Sequence, residues 1–158
     1  MKHLEIEMKT LLNKDEYQRL QDHFSGVTPI TQKNYYLDTP DFYLRKHKIA
    51  MRIRTFDTSA ELTIKIPQKV GNMEYNQSLT LEEAKNCLDD CKLPEGMILE
   101  ELTSRGLSTS GWVVLGRLTT IRYEKETAIG LMALDQSHYF DIVDYELELE
   151  VENGDQGS

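Results

Sequence analysis

Carboxylates and cations recur at alternate positions in several short segments. Glu5, Glu7 and Lys9 are interleaved with Leu4, Ile6 and Met8, and Arg52 and Arg54 with Met51 and Ile53. Glu61, Thr63 and Lys65 alternate with Leu62 and Ile64, and Thr120, Arg122 and Glu124 with Ile121 and Tyr123. Glu146, Glu148, Glu150 and Glu152 alternate with Leu147, Leu149 and Val151. Period two sends successive side chains to opposite faces of a strand, so each segment has one apolar and one ionic face. Taken singly, an ionic face is an ordinary solvated surface. Taken together they imply more if the sheet curls so that the ionic faces converge. Both signs are then required, because an unpaired buried charge costs several kcal/mol. Carboxylates crowd only around a cation, and all-oxygen donors favour Mg²⁺ or Mn²⁺ over zinc. Clustered Arg and Lys need an anion, and guanidinium forks match phosphate oxygens in pairs. The chemistry that satisfies both is a metal-complexed triphosphate.

The elements that position these residues are mostly strands. Strands are expected at 2–11, 30–38, 48–56, 60–67 and 73–80, then at 112–118, 119–126, 128–135 and 142–152, with 112–126 either two strands or one long bent strand. Asn13 and Glu16 form a capping-box pattern that opens a helix to about Phe24. Gly26 and Pro29 break the chain, and residues 42–47 carry no clear period. Thr80 and Glu83 form a second capping box, starting a helix through Asp90. A further helix is expected from Pro94 to Gly106, with Pro near its start and Gly past its end. Many antiparallel strands with a few intervening helices indicate the α+β class, with a large sheet that is curled or closed.

Composition narrows the function. A chain of 158 residues suits one domain with a core. A formal net charge of −9 opposes bulk attraction to nucleic acid. The apolar runs are too short to span a bilayer, and MKHLEIEMKT has no apolar signal core, so a cytoplasmic location is the default expectation and no membrane partner is expected. Cys87 and Cys91 lie four apart on an expected helix without nearby His and read as reduced thiols. His3, His23, His47 and His138 are scattered and form no zinc or catalytic motif.

Glu5-Ile-Glu7-Met-Lys9 resembles the ExExK signature of the CYTH domain, or triphosphate tunnel metalloenzyme, superfamily. Six later segments resemble that family in order along the chain: Tyr35-Tyr36-Leu-Asp38-Thr39, Met51-Arg52-Ile-Arg54, Leu62-Thr-Ile-Lys65, Thr120-Ile-Arg122, Leu134-Asp135 and Tyr145-Glu-Leu-Glu-Leu-Glu150. The likeness is to the small stand-alone members of Gram-positive bacteria. It implies an eight-stranded antiparallel tunnel, closed or partly open, over residues 1–152, with 153–158 a polar tail. It implies hydrolysis of a small-molecule triphosphate (tripolyphosphate, thiamine triphosphate or a nucleoside triphosphate). The alternatives are a cyclase making cyclic AMP and a non-catalytic polyphosphate or nucleotide sensor. Carried over by position, the catalytic residues are Glu5, Glu7, Lys9 and Lys65. The phosphate ligands are Lys9, Arg52, Arg54, Lys65 and Arg122, with Arg117 a weaker candidate. The metal ligands, for Mg²⁺ or Mn²⁺, are Glu5, Glu7, Glu61, Asp135, Glu146, Glu148 and Glu150. Monomer and homodimer are both compatible with this reading. Family members usually continue past the acidic strand into a helix and a basic strand, so a chain that stops at Ser158 is expected to be truncated, without a lid and some lumen cations.

Overall fold

The computed structural model describes residues 2–152. Eight antiparallel strands close into a barrel in the order β1-β5-β4-β3-β2-β6-β7-β8. They are β1 (Lys2–Leu12), β2 (Ile30–Asp38), β3 (Ala50–Thr55), β4 (Ala60–Pro67), β5 (Asn72–Leu79), β6 (Val113–Thr127), β7 (Gly130–Tyr139) and β8 (Ile142–Glu152). Closure comes from β1, which pairs with β5 through its first residues and with β8 through the rest. A closed sheet leaves no unpaired edge.

The barrel is inverted relative to a small packed barrel: its apolar faces point outward, and helices cover the β3-β4-β5 side and part of β7 and β8. Helices α3 (Leu81–Asp90) and α4 (Met97–Ser104) pack on the β3-β4-β5 wall. There Ile53, Leu62, Ile64, Ile98, Leu102 and Trp112 form the centre of the main core. Helix α1 (Lys14–Gln21) covers β7 and β8 through Tyr17, and Phe24 and Leu134 complete that second cluster. Putting the core outside the barrel frees the interior for polar groups.

Both expected capping boxes form. The Asn13 side chain accepts from the Glu16 N–H at 2.8 Å and Glu16 reciprocates, as do Thr80 and Glu83. The unassigned stretch contains the short α2 (Tyr43–Lys46). The Asp38 carboxylate caps it, accepting from the backbone N–H groups of Thr39, Leu44 and Arg45.

Of the two readings left open for 112–126, the single long strand is the one observed: β6 is continuous, held to β2 through its first part and to β7 through the rest, with an irregularity between Tyr36 and Leu37. Other boundaries differ from the sequence reading, and β3 starts two residues later than expected. β7 starts two residues later and runs on to Tyr139 because it stays paired with β8 up to Ile142. α4 begins at Met97 and not near Pro94, because Gln77 of β5 donates to the Glu95 carbonyl and accepts from the Ile98 N–H. Cys87 is buried on α3 and Cys91 ends that helix; both are free thiols. No described helix is long and apolar enough to cross a membrane. The expected tail at 153–158 and the side chains of His3 and Glu152 lie outside the described residues.

Candidate functional site

Closure brings the ionic faces into one lumen. Its cavity holds about 210 Å³, and nearly all its lining is polar. Glu7, Lys9, Arg52, Arg54, Glu61, Lys65, Arg122, Asp135, Glu146, Glu148 and Glu150 all line it. Glu5 lies beneath this surface and is 1% exposed. The registers explain the convergence: Glu7 sits opposite Glu150 and Lys9 opposite Glu148 across β1 and β8. Arg54 faces Glu61 across β3 and β4, and Arg122 faces Asp135 across β6 and β7.

The lumen is polarised. At the acidic pole, carboxylate oxygens of Glu5, Glu7 and Glu150 all lie within 4.8 Å of one another. The Lys65 ammonium reaches Glu5 at 2.7 Å, Glu74 at 3.4 Å and Glu7 at 3.9 Å. Burial alone would raise the Glu5 carboxyl, but Lys65 outweighs it and holds Glu5 down at about 2. Among the described residues Glu150 has no such cation; burial, then the Glu5 carboxylate, push it up to about 8. Burial also raises Glu7. Three carboxylates that cannot all ionise among themselves form an all-oxygen donor set suited to a hard divalent cation.

Two other lumen cations are already matched. Arg122 makes a bidentate pair with Asp135, both contacts at 2.7 Å, and reaches Glu148 at 2.8 Å. Against the cost of burial, these carboxylates keep Arg122 firmly protonated. Lys9 lies 3.5 Å from Glu148 and 3.6 Å from Glu7. Arg52 and Arg54 stand apart: among the described residues neither makes an ion pair within 4 Å, and the Arg52 Nε is buried without a hydrogen-bond partner. Arg54 donates from Nε to Asn34 at 2.7 Å. Burial, then repulsion from Arg52 and Arg122, lower its guanidinium to about 10. This pair places two cations without ion-pair partners in the same lumen as the carboxylate trio.

The expected residues therefore divide. Glu5, Glu7 and Glu150 cluster. Asp135 and Glu148 are engaged by Arg122, while Glu61 and Glu146 line the wall outside that trio. Arg117 points out of the lumen, its guanidinium 6.0 Å from the Tyr35 ring centroid. Sequence reasoning missed Glu74, Asn76, Asn34 and Ser137 on the lumen wall. Thr63 donates to Asn76 at 2.7 Å, and Asn76 donates to Glu74 at 3.0 Å, tying Lys65's second carboxylate to the wall. The alternation of Glu74, Asn76 and Ser78 was the available signal, diluted by polar Gln77 on the opposite face.

Known proteins are similar to this chain. A family model of the CYTH domain matches residues 3–158. The Bacillus subtilis (strain 168) protein YjbK, provisionally named a triphosphatase, is 35% identical over 156 residues, spanning 98% of this chain and 80% of that protein. A Bacillus halodurans protein provisionally named an adenylate cyclase has a crystal structure that superimposes with a TM-score of 0.88 at 37% identity, over 94% of this chain and 81% of that one. HpAC1 from Hippeastrum, provisionally named an adenylyl cyclase and described as revealing a dominant triphosphatase activity, superimposes with a TM-score of 0.78 at 23% identity. It covers 94% of this chain and 79% of that one, and its likeness shows the fold alone.

Proposed function

The chain belongs to the CYTH domain family, and from that premise we propose that it hydrolyses a triphosphate inside its tunnel with Mg²⁺ or Mn²⁺. The observation that carries this reading is the pairing of an unneutralised guanidinium couple, Arg52 and Arg54, with a carboxylate trio in one enclosed lumen.

Glu5, Glu7 and Glu150 would hold the cation. When bound, it offsets phosphate charge and lowers the pKa of water. Arg52 and Arg54 bind the phosphates. The Asn34 bond fixes the Arg54 Nε and leaves its two terminal amino groups free to fork onto phosphate oxygens. Lys9, at the lumen edge of β1, adds a cation beside the trio. Fixed cations aimed where charge develops on the transferring and leaving phosphates supply the main stabilisation of such a reaction. Lys65 holds Glu5 ionised and so sets the charge of the acidic pole. Water is the nucleophile, and the carboxylates orient it; no covalent intermediate is required.

The test is phosphate release from tripolyphosphate, ATP and thiamine triphosphate with each metal, with products identified. Hydrolysis to phosphate is expected, and Glu7→Gln should lower kcat by at least about a hundredfold, the scale of losing a charge-positioning group in an enclosed site. Cyclic AMP as the main product from ATP, or no turnover with either metal, would overturn the reading.

A further inference from the structure

Lys65 acts at a distance from its own strand. It projects from β4, Glu5 belongs to β1, and β5 lies between them. Neighbouring strands stand about 4.8 Å apart, so the ammonium reaches Glu5 across about 10 Å of sheet. A lysine stem is flexible and does not aim itself. The strand it crosses supplies a guide. Glu74 lies directly opposite Lys65 in the β4-β5 ladder, and its carboxylate meets the ammonium at 3.4 Å, beside the 2.7 Å contact to Glu5.

Glu74 is itself held. Two positions along the same ladder, Thr63 stands opposite Asn76. The Thr63 hydroxyl donates to Asn76 Oδ1 at 2.7 Å, and Asn76 Nδ2 donates to Glu74 Oε1 at 3.0 Å, while Glu74 Oε2 is the atom that meets Lys65. Chemistry fixes the sense of this chain. A carboxylate only accepts, so the amide turns its NH₂ to Glu74, and its carbonyl then takes the Thr63 hydroxyl as donor. Thr63 is 1% exposed and Glu74 7%. Bonds made this far from bulk water are costly to lose, because the groups left behind are not resolvated.

We propose that Asn76, backed by Thr63, is a positioning residue for the acidic pole. It aims Glu74 at Lys65, and Glu74 draws the ammonium toward the β4-β5 wall. Lys65 is then shared among three carboxylates instead of settling on Glu5 and Glu7. The ammonium competes with the cation that Glu5, Glu7 and Glu150 would hold, so its placement decides how much of their charge is left for the metal. This rests on the triphosphatase reading and adds to it two neutral residues that act through Lys65.

The test is a double-mutant cycle with Lys65. Mn²⁺ binding without substrate is measured by calorimetry on Asn76→Leu and Thr63→Val, each alone and combined with Lys65→Met, beside tripolyphosphate turnover and a thermal melt. Asn76→Leu keeps the side-chain volume and removes both bonds; Thr63→Val keeps the shape and removes the donor. Asn76→Leu should weaken Mn²⁺ about tenfold, the scale of one hydrogen bond to a charged group, and Thr63→Val about threefold. Neither should change Mn²⁺ affinity when Lys65→Met is present, because no ammonium remains to be placed. Unchanged or tighter Mn²⁺ binding in the single variants would overturn the proposal. Equal losses with and without Lys65 would also overturn it and put Asn76 at the cation itself or in the fold alone. Should Asn76→Leu fail to fold, Thr63→Val decides by the same comparison. If wild type hydrolyses tripolyphosphate but the cycle shows no coupling, the triphosphatase reading stands and the positioning role falls. If the coupling is present and no triphosphate is hydrolysed, the reverse holds. A wild type that binds no Mn²⁺ overturns both.

Discussion

Two arginines in the same lumen have opposite relations to the fold. Arg122 is enclosed by Asp135 and Glu148, with Glu124 at 3.6 Å. Removing it strands two buried carboxylates, so Arg122→Met should cost about 3–5 kcal/mol, the penalty for breaking a buried pair from one side. Adding Asp135→Asn should recover part of the loss; both are read from urea denaturation. Arg52 has no such partners, and its Nε is buried and unbonded. Arg52→Met should leave the denaturation midpoint unchanged or raise it, while KM for the triphosphate rises about tenfold or more, as expected for a lost charge-assisted hydrogen bond. A stability loss like that of Arg122→Met would place Arg52 in the structural network instead of at the substrate.

At the scale of elements, the sequence was most legible where polar and apolar residues alternate without exception. Residues 4–9 of β1 and 144–151 of β8 are such stretches; β2 and β4 also fell on expectation, and α3 did so because its Thr80 and Glu83 capping box marks its start. β5 was found as a strand, but Glu74 and Asn76 were not read as lumen residues because Gln77 makes its other face polar as well. The reason for Gln77 lies elsewhere in the chain: its amide bridges Glu95 and Ile98 and so fixes where α4 begins. Local sequence could not show this, since Pro94 and Gly106 give equally good helix punctuation. The commitments inside the lumen were hidden in a similar way. Alternation put Glu148 and Glu150 on the inward face and the family resemblance added Asp135, but only the structure shows that Arg122 engages Asp135 and Glu148 and leaves Glu150 beside Glu5. The α4 start gives a prediction at this scale. Gly96 has φ 147°, and a Cβ there would lie 2.5 Å from the Gln77 amide. Gly96→Ala should cost about 1–3 kcal/mol, the range for a residue forced into a glycine-only conformation. Adding Gln77→Ala should relieve the overlap without restoring full stability, since the backbone strain persists. A melting temperature equal to wild type in Gly96→Ala would show that the α4 start is not fixed in this way.

For the whole molecule, turning the core outward makes the barrel stable by its helix-covered faces and leaves the lumen free to be electrostatically unfavourable. Glu5, Glu7 and Glu150 gather where like charges oppose one another, and Lys65, with Lys9 at Glu7, compensates them directly. The fold tolerates this because Ile53, Leu62, Ile64, Leu102 and Trp112 are buried outside the barrel, against the β3-β4-β5 wall. Stability and activity should therefore separate at Glu150. Replacing one carboxylate of the trio by its neutral isostere removes repulsion without changing shape, so Glu150→Gln should raise the melting temperature of chelator-treated protein. A cation that binds the folded trio alone stabilises by mass action, by about 2.7 kcal/mol at a hundredfold excess over its Kd. Wild type should accordingly gain melting temperature on adding Mn²⁺ or Mg²⁺, and Glu150→Gln should gain much less and lose turnover. Thermal melts with and without metal, on both proteins, read the two effects at once. A variant that is less stable without metal, or that keeps the full metal-induced shift, would mean that the acidic pole supports the barrel and is not the place where the cation binds.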